Sequence, residues 1–258
     1  MILCIFVFPK ESLSKEQSEL IPPQDVDYQL VKLVDSCVYA ERNHQRWPNY
    51  CMKVSLKKNT NYTVLNTKDG VGKLLLLPTE NIHGIEDSRL FSTPTPSYFY
   101  LAWENRYLIS KKIQKNIGKK IHFNSQDYLF SLNAIQSRTQ DRLHIHMTCV
   151  KKEYQQKLIE SNKKHMYSYE WKKLPFDVTN PYTNDLMNFF SRKVTLNDLK
   201  KGRIHKIIKN KVGERYPNFG IALWAISEKE FLLLITDDSK LAAPNRILAD
   251  SNCSYFLN

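Results

Sequence analysis

The sequence predicts a fold in which β-strands and α-helices pack together. Tyr and Phe are plentiful, at 14 and 12 residues, whereas Gly is scarce at 7, and this mix favours packed elements over long loops. Short apolar runs bounded by turn residues predict strands, and apolar residues at helical spacing predict helices. With 258 residues, the chain is long enough for one large domain or two small ones.

Apolar runs predict the strands. They cover residues 62–65, 74–77, 128–132, 143–150, 220–226 and 231–235. Asp69 and Gly70 predict a turn before the second run, and Pro78 ends that run. The last two runs are joined by a Ser-Glu-Lys-Glu turn, so they predict a hairpin.

Helical spacing of apolar residues predicts the helices. They cover residues 28–37, 98–113 and 153–161, and the basic segment 196–212 is predicted to be partly helical. Thr95 is the predicted N-cap of the second helix, with Pro96 at its first helical position.

The N-terminal segment, residues 1–27, is predicted to lie apart from the domain formed by residues 28–258. Residues 2–8 are an unbroken apolar run, far shorter than the roughly 20 residues that span a bilayer. The run fits either a first strand or the tail of a truncated signal anchor, and we expect the second. The polar stretch after it reads as a linker.

The net charge of +12 favours anionic partners, namely nucleic acid, acidic lipid headgroups or phosphorylated small molecules. A hydrophobic fraction of 42% is inconsistent with general disorder. Clusters of Lys and Arg in a sequence are often only solvated surface. The charge therefore indicates a class of partner and no particular reaction.

The five cysteines contain no CxxC pair, so a structural zinc site is not expected. With Cys4 in the apolar N-terminus set aside, four remain: Cys37, Cys51, Cys149 and Cys253. An even number suits two disulfides in an oxidising compartment, and it equally suits buried free thiols.

Residues 143–150 form the clearest predicted strand. Side chains of a strand alternate between faces, so Leu143 and Ile145 point into a core while His144, His146 and Thr148 share the other face. Three interpretations compete: hydrogen-bonded histidines without function, a metal site, or a nucleophilic imidazole acting on phosphate. No third metal ligand stands at a telling spacing, so no metal is expected.

The residues before this strand favour the nucleophile. Asn133 and Gln140 precede the histidines, and Arg138 and Thr139 between them offer donors to phosphate oxygens. The order Asn133, Gln140, His144-x-His146 resembles the histidine-triad superfamily of hydrolases and transferases. More narrowly, residues 133–149 resemble the CDP-diacylglycerol pyrophosphatase family, which keeps two of the three histidines; here Thr148 stands in the third position. Residues 75–90, 98–112 and 219–234 extend the resemblance.

The resemblance implies an α+β, HIT-like fold, with an antiparallel sheet, packed helices and a C-terminal extension that contains the hairpin. It implies hydrolysis of CDP-diacylglycerol to CMP and phosphatidate without a cofactor. His146 would be the nucleophile and His144 its supporting catalytic residue. The expected substrate-binding residues are Asn133, Arg138, Thr139, Gln140 and Thr148.

The resemblance also extends to the four cysteines, which fall where the family places them. Proximity along the chain and elimination then predict the pairs Cys37–Cys51 and Cys149–Cys253. The expected location is the inner membrane, with the catalytic domain facing the periplasm. The expected partners are the lipid substrate, CMP and an anionic membrane surface, with no nucleic acid. Two alternatives stay open: a nucleotide- or nucleic-acid-binding module without catalysis, and a hydrolase of soluble dinucleotides.

Overall fold

The computed structural model describes residues 29–58, 60–91, 97–237 and 242–257. The predicted N-terminal remnant and linker, with the domain boundary after residue 27, lie outside the described residues. Thr95 and Pro96 lie outside them as well. No helix in the described part of the chain is long and apolar enough to cross a membrane.

One large sheet dominates the fold, and all of its strand pairs are antiparallel. Its order is β1-β2-β3-β5-β4-β10-β11-β9-β6, with β12 paired to the end of β5, and β7 and β8 form a separate small sheet. The strands are β1 (Cys51–Lys57), β2 (Thr60–Asn66), β3 (Leu74–Pro78), β4 (Tyr128–Leu132), β5 (Ile145–Val150), β6 (Lys172–Lys173), β7 (Val178–Thr179), β8 (Leu186–Met187), β9 (Phe189–Thr195), β10 (Gly220–Ala225), β11 (Glu230–Thr236) and β12 (Ala249–Asp250).

Helices cover both faces of this sheet, which confirms the predicted α+β class with an antiparallel sheet. They are α1 (Gln29–Arg42), α2 (Tyr98–Glu104), α3 (Tyr107–Ile117), α4 (Lys152–Lys163), α5 (Leu196–Lys200), α6 (Ile204–Val212) and α7 (Pro244–Ile247). Apolar residues of α2, α3 and α6 pack on one face and form the largest core. On the opposite face, α1 packs over β1–β3, and α4 contributes to a second cluster that includes β10 and β11.

The site lies between these two smaller clusters. Strand β5 runs between β3 and β4, and its residues Ile145, Met147 and Cys149 point into the largest core. The alternate positions of β5 therefore face the gap between the α1 cluster and the α4 cluster. The histidines of β5 stand in that gap.

The predicted helix over residues 98–113 is interrupted. Asn105, only 1% exposed, separates α2 from α3, and its side-chain amide donates to the Leu101 carbonyl (2.7 Å) and the Tyr62 hydroxyl (3.0 Å). A side chain that donates to a backbone carbonyl in this way competes with the backbone hydrogen bonds of the helix. The N-cap prediction was wrong too: Ser97 caps α2, because its hydroxyl accepts from the Tyr100 amide.

Most predicted strands are confirmed within one or two residues, and the hairpin of β10 and β11 is confirmed. Strand β1 was missed because it lies at the edge of the sheet and carries lysines, so its alternation is weak. Strand β9 was missed for a related reason, since Arg192 and Lys193 interrupt its apolar positions.

Candidate functional site

The two histidines of the β5 segment stand side by side on the face that the largest core leaves uncovered. Their ring centroids are 4.7 Å apart, and the ring planes lie nearly perpendicular at 79°. Across the ladder, His146 is directly opposite Leu75 of β3 and Ser131 of β4. The sheet thus fixes the position of His146 from both sides.

His144 is oriented by its own backbone segment. Its Nδ1 lies 2.7 Å from the carbonyl oxygen of Arg142, so Nδ1 carries the proton and donates to that oxygen. Burial lowers the pKa of His144 below the ordinary histidine value. A neutral ring with a protonated Nδ1 leaves the Nε2 lone pair available on the other side of the ring.

Of the two histidines, His146 has the more strongly lowered pKa. The residue is only 6% exposed, and within the described residues neither ring nitrogen has a hydrogen-bond partner. Burial lowers the pKa of His146 well below the ordinary value, and repulsion from His144, Lys73 and Arg246 lowers it further. At neutral pH the imidazole is therefore uncharged, with a lone pair that no neighbour uses. This is the state that a nucleophilic histidine requires.

A polar pocket of about 360 Å³ opens beside the histidines. It is lined by Asp69, Lys73, Asn133, Thr139, His144, His146, Tyr182, Asn245, Arg246, Ala249 and Ser251. Lys73 and Arg246 are its cations, and Lys73 forms an ion pair with the exposed Asp69. The buried amide oxygens of Asn133 and Asn245 lack hydrogen-bond partners among the described residues. Such a pocket suits an anionic ligand that also offers hydrogen-bond donors.

A larger groove of about 800 Å³ leads away from the same histidines, between α1 and strands β2 and β3. It is lined by Gln29, Leu30, Leu33, Asn49, Tyr50, Leu65, Asn66, Thr67, Lys68, Asp69, Lys73, Leu75, Thr139, Gln140, His144 and His146. The groove and the polar pocket share Asp69, Lys73, Thr139 and both histidines. The histidines therefore stand where two compartments of different chemistry meet.

Five of the predicted site residues line one or both of these cavities. His144, His146 and Thr139 line both, Asn133 lines the polar pocket, and Gln140 lines the groove. The side-chain oxygen of Gln140 is buried without a partner among the described residues. These residues come together as the motif predicts, because the segment before β5 folds back beside the strand.

Arg138 and Thr148 lie outside the linings of both cavities. The guanidinium of Arg138 forms ion pairs with Glu86 and Asp141. The hydroxyl of Thr148 donates to the Asp250 carbonyl at 2.8 Å, and this bond fastens β12 to β5. Both side chains have partners within the protein, and their role in substrate binding stays a prediction.

The sequence interpretation missed the two cations of the polar pocket. Lys73 follows the turn predicted at Asp69 and Gly70 and stands directly before β3, and its side chain lines the polar pocket with the histidines. Arg246 lies in α7, about a hundred residues after the motif, and no spacing in the sequence connects the two. The turn before Lys73 is visible in the sequence, whereas no sequence pattern marks Arg246.

Lys112 of α3 holds the turn that carries Lys73. Its buried ammonium donates to the carbonyl oxygens of Thr67 (3.1 Å), Gly70 (2.8 Å) and Lys73 (2.8 Å). Burial lowers the pKa of Lys112 to about 8. The three bonds fix the backbone on both sides of Asp69, so Lys112 is a positioning residue for the pocket.

We expect Lys112→Met to remove three hydrogen bonds and to leave the Thr67 carbonyl without this donor, whereas the Gly70 and Lys73 carbonyls still accept from the Lys73 amide (3.4 Å) and the Thr67 hydroxyl (3.0 Å). The cost should be about 1–3 kcal/mol in total. Lys73 should lose its fixed position, so KM for an anionic substrate should rise about tenfold while kcat changes less. Urea unfolding and steady-state kinetics measure the two effects. Lys111→Met is the matched control, because Lys111 is the exposed neighbour on the same helix. Equal stability and KM in Lys112→Met and Lys111→Met would contradict the assignment. Lys112→Arg should have a lower KM than Lys112→Met, because it keeps a donor at this position.

Both predicted cysteine pairs are disulfide-bonded in the structure. Cys37–Cys51 joins α1 to the start of β1, and Cys149–Cys253 joins β5 to the C-terminal segment. A methyl group at Gly72 would lie 2.3 Å from the Cys253 sulfur, so the second disulfide packs tightly under the turn that holds Lys73. In the described part of the chain, no group of three or more His, Cys, Asp or Glu side chains is arranged to hold a metal ion.

Comparisons with known proteins identify relatives of the chain. A family model described as CDP-diacylglycerol pyrophosphatase matches residues 25–256. A CDP-diacylglycerol pyrophosphatase of Yersinia pestis is 28% identical over 212 residues, which cover 80% of this chain and 76% of that protein. Among solved structures, yeast Ap4A phosphorylase Apa2 aligns at 13% identity with a TM-score of 0.38, covering 81% of this chain and 79% of that one. The complex of Apa2 with Ap4A aligns with a TM-score of 0.35.

Proposed function

The chain belongs to the CDP-diacylglycerol pyrophosphatase family, and from this premise we propose that His146 carries the family's reaction as a nucleophile. The protein is a hydrolase whose substrate is CDP-diacylglycerol. The observation that supports the proposal is the uncharged, unpartnered imidazole of His146 at the junction of the two cavities. This group combines the lone pair, the access and the protonation state that attack on phosphorus requires.

In the first step, one ring nitrogen of His146 attacks the phosphorus that bears cytidine. A nitrogen–phosphorus bond forms, and the phosphoanhydride bond to phosphatidate breaks. The bridging oxygen takes the bonding electron pair and leaves as part of phosphatidate. The other ring nitrogen keeps its proton, so the imidazole becomes a cation while it carries CMP.

In the second step, water attacks the same phosphorus and breaks the nitrogen–phosphorus bond. The electron pair returns to the His146 nitrogen, the proton of water passes to solvent, and CMP is released. Phosphatidate and CMP together account for the substrate plus one water. The ring ends the cycle uncharged, as it began.

The charges around His146 explain how one ring serves both steps. Burial keeps the free imidazole uncharged, and the positive charges of Lys73 and Arg246 lower the pKa of His146 further. Bound diphosphate brings negative charge that offsets these cations. The positive charge on the imidazolium of the intermediate therefore costs less free energy than it would in the free enzyme. Lys73 and Arg246 also stabilise charge on the leaving oxygens, the usual basis of phosphoryl transfer.

The remaining polar residues are assigned by their position in the cavities. Asn133 would contact the nucleotide side of the diphosphate, since it lines the polar pocket, and Gln140 the lipid side, since it lines the groove. Thr139 lines both cavities and would contact the diphosphate between them. His144 would hold a phosphate oxygen or a water at its Nε2, because its Nδ1 is fixed by the Arg142 carbonyl. No metal-dependent step is part of this scheme.

The cellular setting follows from charge and cysteines. The net charge of +12 favours contact with an anionic membrane surface, where the lipid substrate resides. Two disulfides persist in an oxidising compartment such as the periplasm. We therefore propose a periplasmic enzyme associated with the inner membrane, with CMP and phosphatidate as products and no nucleic-acid partner.

Isotopic water tests which phosphorus is attacked. We expect hydrolysis of CDP-diacylglycerol in ¹⁸O-water, with EDTA present, to place the label in CMP and none in phosphatidate, because water enters at the phosphorus that His146 released. Mass spectrometry of both products measures the label, and a non-enzymatic acid hydrolysate provides the reference. Label in phosphatidate would contradict the proposal. Absence of any cleavage would instead favour the two alternatives, a nucleotide- or nucleic-acid-binding module or a hydrolase of soluble dinucleotides.

A further inference from the structure

The groove beside α1 has an apolar part within a lining that also contains polar residues. Leu65 of β2 and Leu75 of β3 form its floor, and Leu30 and Leu33 of α1 form one wall with Tyr50 beside them. Leu30, Leu65 and Leu75 are buried in the α1 cluster, whereas Leu33 is only half-buried. A ligand in the groove would therefore contact Leu33 directly.

This apolar surface is continuous with the proposed nucleophile. Leu75 lies directly opposite His146 across the β3–β5 ladder, so the floor of the groove begins at the reacting position. On the other side of the histidines, the polar pocket presents Asn133, Asn245 and Arg246. A ligand that spans both cavities must therefore have a polar half, an apolar half and its reacting group between them.

We propose that the groove between α1 and strands β2 and β3 is the subsite for the diacylglycerol half of the substrate. This inference rests on the proposed function and extends it to the orientation of the substrate. The diphosphate lies at His146 with Lys73 beside it, the cytidine lies in the polar pocket, and the glycerol backbone with the first methylene groups of the acyl chains lies against Leu33 and Leu75. The distal parts of the chains stay in the membrane or micelle.

Polarity favours this orientation over the reverse one. A cytosine base and a ribose carry donors and acceptors that lose free energy when they are buried without partners. Both cavities hold two buried amide oxygens without partners among the described residues, those of Asn133 and Asn245 in the polar pocket and those of Asn66 and Gln140 in the groove. What distinguishes the groove is its four leucines, whereas no leucine lines the polar pocket and Arg246 does. Acyl chains have the opposite requirement, since they gain from apolar contact. A groove of about 800 Å³ is also large enough for a glycerol backbone and the adjoining methylene groups.

The test compares two substrates that differ only in acyl chains. CDP-diacylglycerol in detergent micelles and CDP-glycerol in solution carry the same cytidine diphosphate. We expect Leu33→Gln to reduce kcat/KM for CDP-diacylglycerol about tenfold and to leave kcat/KM for CDP-glycerol unchanged. Leu56→Gln is the matched control, because Leu56 is an exposed leucine of β1 that does not line the groove. The control should leave both substrates unchanged.

Further outcomes separate this inference from the proposed function. If wild type cleaves neither substrate, the proposed function fails. If wild type cleaves both and Leu33→Gln affects both equally or neither, the groove is not the lipid subsite. An equal loss with both substrates would place the half that they share, the cytidine diphosphate, in the groove and reverse the orientation. Should Leu33→Gln unfold, Leu33→Trp serves instead: by narrowing the groove it should lower activity more with long acyl chains than with short ones, and equal loss with both would overturn the inference.

Discussion

His146→Ala is expected to lower kcat for CMP release from CDP-diacylglycerol by at least about 10³-fold, since removal of a covalent nucleophile abolishes the step that it performs. The loss should persist at saturating substrate, because His146 acts on the reacting phosphorus and contributes little to ground-state binding. His146→Asn should behave similarly, since an amide provides no nucleophilic lone pair. Assays of CMP release from substrate in micelles, with EDTA present, measure kcat and KM separately.

The matched control is a second buried histidine. His205 of α6 is 2% exposed, packs beside Tyr216 and lines neither cavity. His205→Gln should therefore change stability and leave kcat within a few-fold of wild type. Similar losses of kcat in both variants would indicate damage to the fold. A binding module would instead retain its affinity for CMP in His146→Ala, with no turnover in wild type.

The pH dependence reports the same residue. Because the pKa of His146 is lowered well below 6.5 by burial and by its cationic neighbours, the ring stays uncharged as pH falls from 8 through 6.5. The plot of kcat/KM, which follows the free enzyme, should therefore show no acid limb down to pH 6.5 and should decline only at more acidic pH. Deprotonation of Lys112, whose pKa is about 8, affects only the alkaline side of the plot. An acid limb centred at or above pH 6.5 would be inconsistent with an uncharged, buried nucleophile.

Removal of the Cys149–Cys253 disulfide is expected to have the second large effect. The bond closes a loop of 104 residues, and loop closure of this length contributes about 4–5 kcal/mol to the free energy of unfolding. The double variant Cys149→Ala/Cys253→Ala should lose a stability of this order. Activity should fall with it, because Cys253 packs against Gly72 beneath the turn that carries Lys73. Urea unfolding and the CMP assay measure the two losses.

The other disulfide supplies the comparison. Cys37–Cys51 spans 14 residues, so the same model gives about 3 kcal/mol for its removal. It lies under α1, away from the Lys73 turn, and Cys37→Ala/Cys51→Ala should affect turnover less. A larger loss of stability or activity from the shorter loop would contradict this account of how the C-terminal segment is held.

Much of the site could be predicted because it lies close together in the sequence. The period of two in β5 places His144 and His146 on one face whatever the rest of the fold does. Asn133, Thr139 and Gln140 precede the strand by a short connection, so they cannot lie far from it. The sheet and the hairpin were predictable for the same reason, since apolar runs and a tight turn are local signals.

What escaped prediction depends mostly on contacts between segments that are distant in the sequence, although the Arg138–Asp141 ion pair is local. Arg246 precedes β12, which pairs with the end of β5 and accepts a hydrogen bond from the Thr148 hydroxyl at the Asp250 carbonyl. Arg138 has the chemistry of a phosphate ligand, yet Glu86 and Asp141 hold its guanidinium. Lys112 serves the pocket from a separate helix through three backbone carbonyls. None of these contacts leaves a periodic or spaced pattern in the sequence.

The central claim is that His146 forms a covalent bond to CMP, and rapid quenching tests it most directly. Wild-type protein is mixed with CDP-diacylglycerol labelled in the cytidine phosphate, quenched in alkali within the first turnover, digested and mapped by mass spectrometry. The account predicts CMP attached to the peptide that contains His146, absent from His146→Ala. Label on His144 or any other residue, or full-rate hydrolysis with no protein-bound CMP at any time, would contradict it.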